Sequence, residues 1–287
     1  MVKTIGNPLS WGASAPSETG HAIEEVAENL GSHDLTAPEI RALRAADIRD
    51  TLRKGIDDFT YFRGDVLFMA LFYPAIGILL TVAAFQQNLL PLLFPMAAGF
   101  ALLGPFAAIG LYELSRLHEA GEPACWTEAF KVLRPAVAGP AFALGLYLFA
   151  LYALWLYAAA WIYRITLGPD LPVSAGAFVN DILNTSEGTA MIVIGLGVGT
   201  VFAVLVLVTS LISFPMLVDR RVGLPLAVTT SFRLARQNPR VVGLWGLTVA
   251  AILVAASIPL FLGHILALPI LGHATWHFYR AAIRFEN

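Results

Sequence analysis

The feature that most constrains the fold is a series of six long apolar segments that begins after residue 63. A helix crosses about 30 Å of hydrocarbon with roughly 20 residues, and the first five segments are long enough to do so. The chain is 57% hydrophobic and 13% charged, against about 25% charged in soluble domains. Lipid is therefore the expected solvent for residues 64–86, 89–113, 138–163, 188–214, 241–262 and 265–282.

These segments predict an all-α fold, a polytopic bundle of about six transmembrane spans arranged as three hairpins. Polar residues 86–88 mark a turn between the first two spans, and Gly263 with His264 marks a turn between the last two. The sixth segment is the shortest, and Pro269 interrupts it. Because proline lacks a backbone donor, we expect a kink there.

The basic residues predict the orientation of the spans. Of the 18 Lys and Arg residues, only Arg164 falls on one side of the predicted membrane, and the other 17 fall on the opposite side. Basic residues in short loops favour the cytoplasm. We therefore predict a multi-pass protein of the bacterial inner (cytoplasmic) membrane, with both termini cytoplasmic.

The segment before the first span divides into two parts. Residues 1–35 are rich in small, polar and acidic residues and predict a flexible N-terminal tail. Residues 36–39 fit a capping box, so residues 36–63 predict a cytoplasmic amphipathic helix. Residues 64–287 then form the transmembrane domain. The apolar residues of the predicted amphipathic helix recur at intervals of three, four or five, which suits it to lie on a membrane surface or to pack under the bundle. They are Ile40, Leu43, Ile48, Leu52, Ile56 and Phe59.

An internal repeat links two cytoplasmic segments, residues 121–139 and 223–243. Each copy predicts an amphipathic helix that precedes an outward-going span. Residues 48–59 resemble a third, degenerate copy, which would give three units of surface helix and hairpin. The matching pairs are Gly121 with Gly223, Pro123 with Pro225, Thr127 with Thr229, Phe130 with Phe232, Arg134 with Arg236, Pro135 with Pro239, Val137 with Val241 and Gly139 with Gly243.

His273 and His277 are the residues that could carry a cofactor. Four positions apart on a helix, both side chains share one face and could bind a metal or approach a haem. The alternative is polar packing near the cytoplasmic end of the span, which we favour. We predict no catalytic residue, no metal site and no cofactor, with haem or metal at these histidines as the minor alternative.

Three further groups predict structural or interaction roles. Glu113 with Arg116, and Asp219 with Arg220, could form ion pairs that fix loops to the bundle. Gly195 and Gly199 form a small-residue face that permits close helix approach. We expect that face to pack within the chain, with a partner interface as the alternative.

Four stretches of the chain resemble a bacterial integral-membrane family known as domain of unknown function 2189. They are residues 3–9, 99–113, 213–220 and 269–277. The resemblance implies an inner-membrane protein and no particular activity. Members are sometimes labelled similar to cytochrome c oxidase subunit I, but this sequence lacks the several intramembrane histidines that would hold two haems and copper.

These observations favour a membrane protein that is not an enzyme. We expect a scaffold, assembly or accessory partner that contacts membrane lipid and other inner-membrane proteins. A transporter or lipid-handling protein is the alternative, and a redox protein carrying haem or metal is the second alternative. The net charge of −2 gives no reason to expect nucleic-acid binding.

Overall fold

The computed structural model of the chain describes residues 38–70, 82, 89–220, 222–259 and 262–285. Within these ranges the chain is helical almost throughout, and the predicted tail, residues 1–35, lies outside them. In chain order the elements are β1 (Glu39–Ile40), α1 (Ala45–Ala70), a 3-10 turn (Leu90–Leu92), α2 (Leu93–Phe100), a second 3-10 turn (Ala101–Leu103), α3 (Gly104–Ala107), α4 (Ile109–Glu119), a 3-10 helix (Trp126–Leu133), α5 (Pro135–Thr166), α6 (Ala175–Asn184), α7 (Ser186–Ser210), α8 (Ser213–Asp219), α9 (Leu224–Gln237), α10 (Pro239–Ser257), α11 (His264–Ala282) and β2 (Ile283–Arg284).

Four helical stretches among the described residues are long and apolar enough to cross a membrane. They are Leu90–Glu119, Val137–Thr166, Ser186–Asp219 and Pro239–Ser257, and they coincide with the second to fifth predicted segments. Most of the first segment lies outside the described residues. The sixth forms α11, which is not among the four. The fold is thus confirmed as a mainly helical membrane protein, and the six-span hairpin layout stays a prediction.

The start of α1 differs from the sequence-based expectation. Thr36 lies outside the described residues, but Glu39 and Ile40 form a short antiparallel pairing with Ile283 and Arg284, and α1 begins only at Ala45. The backbone N–H of Arg41 donates to the Ala282 carbonyl. Tertiary hydrogen bonds to the end of α11 therefore replace the predicted first turns of helix.

The packed face of α1 also differs from the predicted apolar face. The buried positions are Ile48, Thr51, Gly55, Asp58 and Phe62, whereas the predicted Ile56 is 46% exposed. Intervals of three and four place these positions on one side of a helix. The side of α1 that meets the bundle therefore contains a threonine, a glycine and a carboxylate.

Burial is concentrated at one end of the bundle. Residues 211–218 are all buried, whereas only 6% of the most apolar window of Ser186–Asp219 is buried inside the protein. At 1.5 Å per residue that stretch is about 50 Å long, more than about 30 Å of hydrocarbon. We call the packed end, in which α1, α4, α8, α9 and α11 meet, the head.

The predicted glycine face of α7 packs within the chain at one of its two positions. A Cβ at Gly199 would lie 3.2 Å from the Trp155 ring of α5, whereas a Cβ at Gly195 would meet no atom within 4 Å. The Trp155 indole N–H donates to the Pro95 carbonyl at 2.8 Å. Trp155 therefore joins α5 to both α2 and α7.

The two repeat copies form different kinds of helix, although the long helix that follows each copy begins at a matching proline. Residues 126–133 of the first copy form the 3-10 helix, whereas the second copy forms α9. Pro135 and Pro239, which the repeat matches, each begin the next long helix, α5 and α10. Proline suits a first helical position because its missing N–H has no helical partner there.

Candidate functional site

A glycine brings α1 against α11 and so creates the most polar buried site of the described chain. A Cβ placed on Gly55 would lie 2.7 Å from both the Cβ and the backbone nitrogen of Ala274. Only glycine at this crossing lets the two helices approach so closely. One turn further along α1, Asp58 then reaches the polar face of α11.

The Asp58 carboxylate accepts three hydrogen bonds from two other helices. Ser115 Oγ and His277 Nε2 donate to its Oδ2 at 2.6 and 2.8 Å. His118 Nδ1 donates to its Oδ1 at 2.8 Å. The carboxylate is 4% exposed, so these bonds replace the water that it would otherwise bind. They also tie α1 to α4 and α11.

His273 joins the same site through Ser115. Its Nδ1 lies 2.8 Å from Ser115 Oγ and 3.9 Å from Asp58 Oδ2. Because the single hydroxyl proton of Ser115 goes to the carboxylate, Nδ1 must be the donor to Ser115 Oγ. The Nε2 lone pair is then buried without a hydrogen-bond partner among the described residues.

Two aromatic rings complete this buried group, which we call the Asp58 cluster: Asp58, Ser115, His118, His273 and His277. Phe62 stacks on His273 with ring centroids 5.8 Å apart and planes 15° apart. Tyr61 stacks on His118 at 4.2 Å. Both rings come from α1, so this helix supplies the carboxylate and the apolar covers of two imidazoles.

The charge of Asp58 is stabilised by its donors. Burial by itself would raise the pKa of the Asp58 carboxyl, but hydrogen bonds from His277, Ser115 and His118 outweigh that effect. The pKa falls from 3.8 to about 2. The carboxylate is therefore ionised at neutral pH and accepts an N–H bond from each of the two imidazoles that face it.

An ion network lies beside the Asp58 cluster at the end of the head. Glu119 accepts from Trp276 Nε1 at 2.9 Å and from Arg280 Nε at 3.1 Å. Asp219 accepts from the Tyr279 hydroxyl at 2.7 Å and lies 3.5 Å from Arg280. Arg280 therefore links α4 and α8 to α11.

The four charged residues singled out from the sequence all lie at this end. Arg116 donates twice to Glu113, at 2.8 and 2.9 Å, within α4. Arg220 lies 3.6 Å from Asp219 and 4.8 Å from the centroid of the Phe285 ring. The stronger partners of Asp219 are Tyr279 and Arg280, which lie far from it in sequence.

The two predicted histidines come together, but in a hydrogen-bonded arrangement. His273 Nδ1 and His277 Nε2 are both engaged by Ser115 and Asp58. Across the described residues, no group of three or more His, Cys, Asp or Glu side chains is placed to hold a metal ion. Both histidines therefore belong to a hydrogen-bond network around the Asp58 carboxylate.

Sequence reasoning missed Asp58, Ser115, His118 and Glu119. They have no motif spacing, because their partners lie 57 to 219 positions away along the chain. The only available indication was a carboxylate within the predicted amphipathic helix. That pattern alone does not distinguish a buried carboxylate from a solvated one.

The comparison with protein families agrees with the apolar character of the described helices. Residues 93–219 match the family DUF2189, described as a predicted integral membrane protein. Over these residues the chain is similar to that family. The resemblance stated from the sequence is confirmed there, and the match includes α4 and α8 but neither α1 nor α11. The curated proteins and the solved structures contained no match to the chain.

Proposed function

We propose that this DUF2189 protein is a non-catalytic membrane scaffold that docks other membrane proteins at its head, as an assembly or accessory partner. It would lie in a bacterial inner membrane with the head in the cytoplasm. The observation that carries the proposal is the pair of exposed phenylalanines at matching positions of the two repeat copies, of which Phe232 lies beside Arg236.

The exposed pair occupies matching positions of the repeat. Phe130 is 56% exposed and Phe232 is 48% exposed. Arg134 lies four residues after Phe130, and Arg236 lies four residues after Phe232. Both arginines are exposed. Arg236 lies 5.9 Å from the Phe232 ring centroid. Aromatic and arginine side chains are enriched among the residues that dominate protein–protein binding.

A docking role is supported by the polar contacts that tie the helices of the head together. The Asp58 cluster and the Glu119 network connect three helices through charged hydrogen bonds. A surface that is already ordered loses less conformational entropy when it binds. Chemistry is not needed to explain the cluster, because its hydrogen bonds already account for the ionised carboxylate.

Photocrosslinking tests the docking surface directly. A photoreactive phenylalanine analogue would replace Phe130 or Phe232 in cells that produce the protein from its own gene. The matched control carries the analogue at Phe149, which is also 56% exposed but lies in α5 among lipid-facing positions. We expect discrete protein adducts from residues 130 and 232 and lipid adducts alone from residue 149.

Two outcomes would overturn the proposal. Lipid adducts alone from residues 130 and 232 would show that these helices lie on the bilayer surface. The same protein adducts from residue 149 would show unspecific contact. As a further check, Arg236→Gln should lower the adduct yield from residue 232, because it removes a cation beside the crosslinking ring.

A further inference from the structure

A groove runs between α1 and α10, the second of which is a candidate membrane span. Its two parts have volumes of about 510 and 600 Å³ and meet at Ala45. One part extends along α1 to Ile56 and reaches Thr248 of α10. The other begins at the N-terminus of α10 and reaches Leu244. We call the whole the α1–α10 groove.

The charged side chains that line the groove are all arginines. Arg49 and Arg53 line the first part, and Arg44 and Arg240 line the second. All four are exposed, and none forms a side-chain ion pair with a described residue. No Asp or Glu lines either part. The lining of the groove is therefore basic and contains no carboxylate.

Apolar side chains lie directly beside these arginines. Ile48, Leu52 and Ile56 line the α1 side, and Leu244 lines the α10 side. Ile56 is 46% exposed and Leu244 is 43% exposed. A free phosphate or an acidic peptide would use the arginines but leave this apolar surface uncovered. An occupant that matches both surfaces needs an anionic group and a hydrocarbon chain.

We propose that the α1–α10 groove binds an anionic phospholipid from the surrounding bilayer. The phosphate lies beside Arg49 and Arg53, which line the same part of the groove, because guanidinium groups pair with phosphate oxygens in a bidentate manner. An acyl chain lies along Ile56 and Leu244. Basic pockets between membrane helices recognise anionic headgroups in this way.

Native mass spectrometry of the full-length protein, released from mild detergent, tests the site. Phosphatidylglycerol is titrated into the wild type, into Arg49→Gln/Arg53→Gln and into the control Lys54→Gln. Lys54 is exposed on the same helix but does not line the groove. Each interfacial basic residue contributes about a fivefold increase in affinity for anionic lipid. The double variant should therefore bind roughly 25-fold more weakly, and the control should bind like the wild type.

Three further measurements distinguish a specific lipid-binding site from general electrostatic attraction of anionic lipid. Phosphatidylcholine should bind the wild type much more weakly, and millimolar inorganic phosphate should not displace phosphatidylglycerol. Arg49→Lys/Arg53→Lys retains the charge and should recover only part of the affinity. Equal losses in Lys54→Gln and the double glutamine variant would overturn the proposal. So would equal binding of the two lipids, or displacement by phosphate alone.

Discussion

Replacing Asp58 by asparagine removes one charge from the centre of the head while leaving the side-chain shape nearly unchanged. The asparagine amide can keep at most the two hydrogen bonds that meet at one oxygen. At least one of Ser115, His118 and His277 would then face an N–H₂ group. A buried donor without an acceptor costs about 1–3 kcal/mol.

The pKa of Asp58 gives a second estimate of what its charge contributes. The folded state lowers this pKa from 3.8 to about 2, and each pKa unit corresponds to about 1.4 kcal/mol. Ionisation of Asp58 therefore stabilises the folded protein by about 2 kcal/mol at neutral pH. Because both estimates arise from the same hydrogen bonds, they are not added, and Asp58→Asn should lower the free energy of unfolding by about 2–3 kcal/mol.

The pH dependence of this difference has a definite sign. Because the folded-state pKa is depressed, the stabilisation is present above pH 3.8 and is lost as the pH falls through the folded value of about 2. The difference between wild type and Asp58→Asn should therefore shrink by about 1 kcal/mol between pH 5 and pH 3. Asparagine does not titrate, so the change belongs to the wild type.

Unfolding by SDS in mild-detergent micelles measures these differences. Tryptophan fluorescence reports the transition, since Trp245 and Trp276 are each 1% exposed in the folded protein. The control is Asp57→Asn, an exposed neighbour, which should change stability by less than about 0.5 kcal/mol. A loss below 1 kcal/mol for Asp58→Asn, or an equal loss for Asp57→Asn, would refute the role assigned to the cluster.

The crossing of α1 and α11 at Gly55 and the N-terminal arm, which is the segment of residues 39–44 before α1, give two further tests. Gly55→Ala should lower the unfolding free energy by about 1–3 kcal/mol through overpacking against Ala274. The control Gly197→Ala should not, because no described atom lies near its added Cβ. Equal effects of the two substitutions would contradict the close crossing. Asn238→Ala should cost about 1–2 kcal/mol and speed proteolysis near residue 43, because Asn238 accepts the Leu43 N–H and donates to the Arg41 carbonyl. Gln237→Ala serves as its control, and unchanged proteolysis would show that the arm is held elsewhere.

The helical membrane character of the chain follows from the sequence alone. Four of the six apolar segments form helices long and apolar enough to span a bilayer. Their amino acids decide this locally, because a backbone in hydrocarbon must satisfy its own hydrogen bonds and a helix does so within one segment. The shared proline starts of α5 and α10 were also visible in the repeat.

The side of α1 that packs was decided by tertiary structure. Apolar periodicity favoured Ile56, yet the buried face contains Thr51, Gly55 and Asp58. Hydrophobicity predicts which residues avoid water, but it does not distinguish lipid from protein as their surroundings. In a membrane protein, small and polar residues often form the helix contacts instead.

The Asp58 cluster likewise needed the fold to be seen. His273 and His277 share a helix, so their common face was predictable from spacing four apart. Their partners Asp58 and Ser115 come from helices far away in sequence, and only the close passage at Gly55 brings them within hydrogen-bond distance. Composition and periodicity thus determined a helical membrane protein, whereas the polar centre of its head arose from contacts between helices that no local pattern encodes.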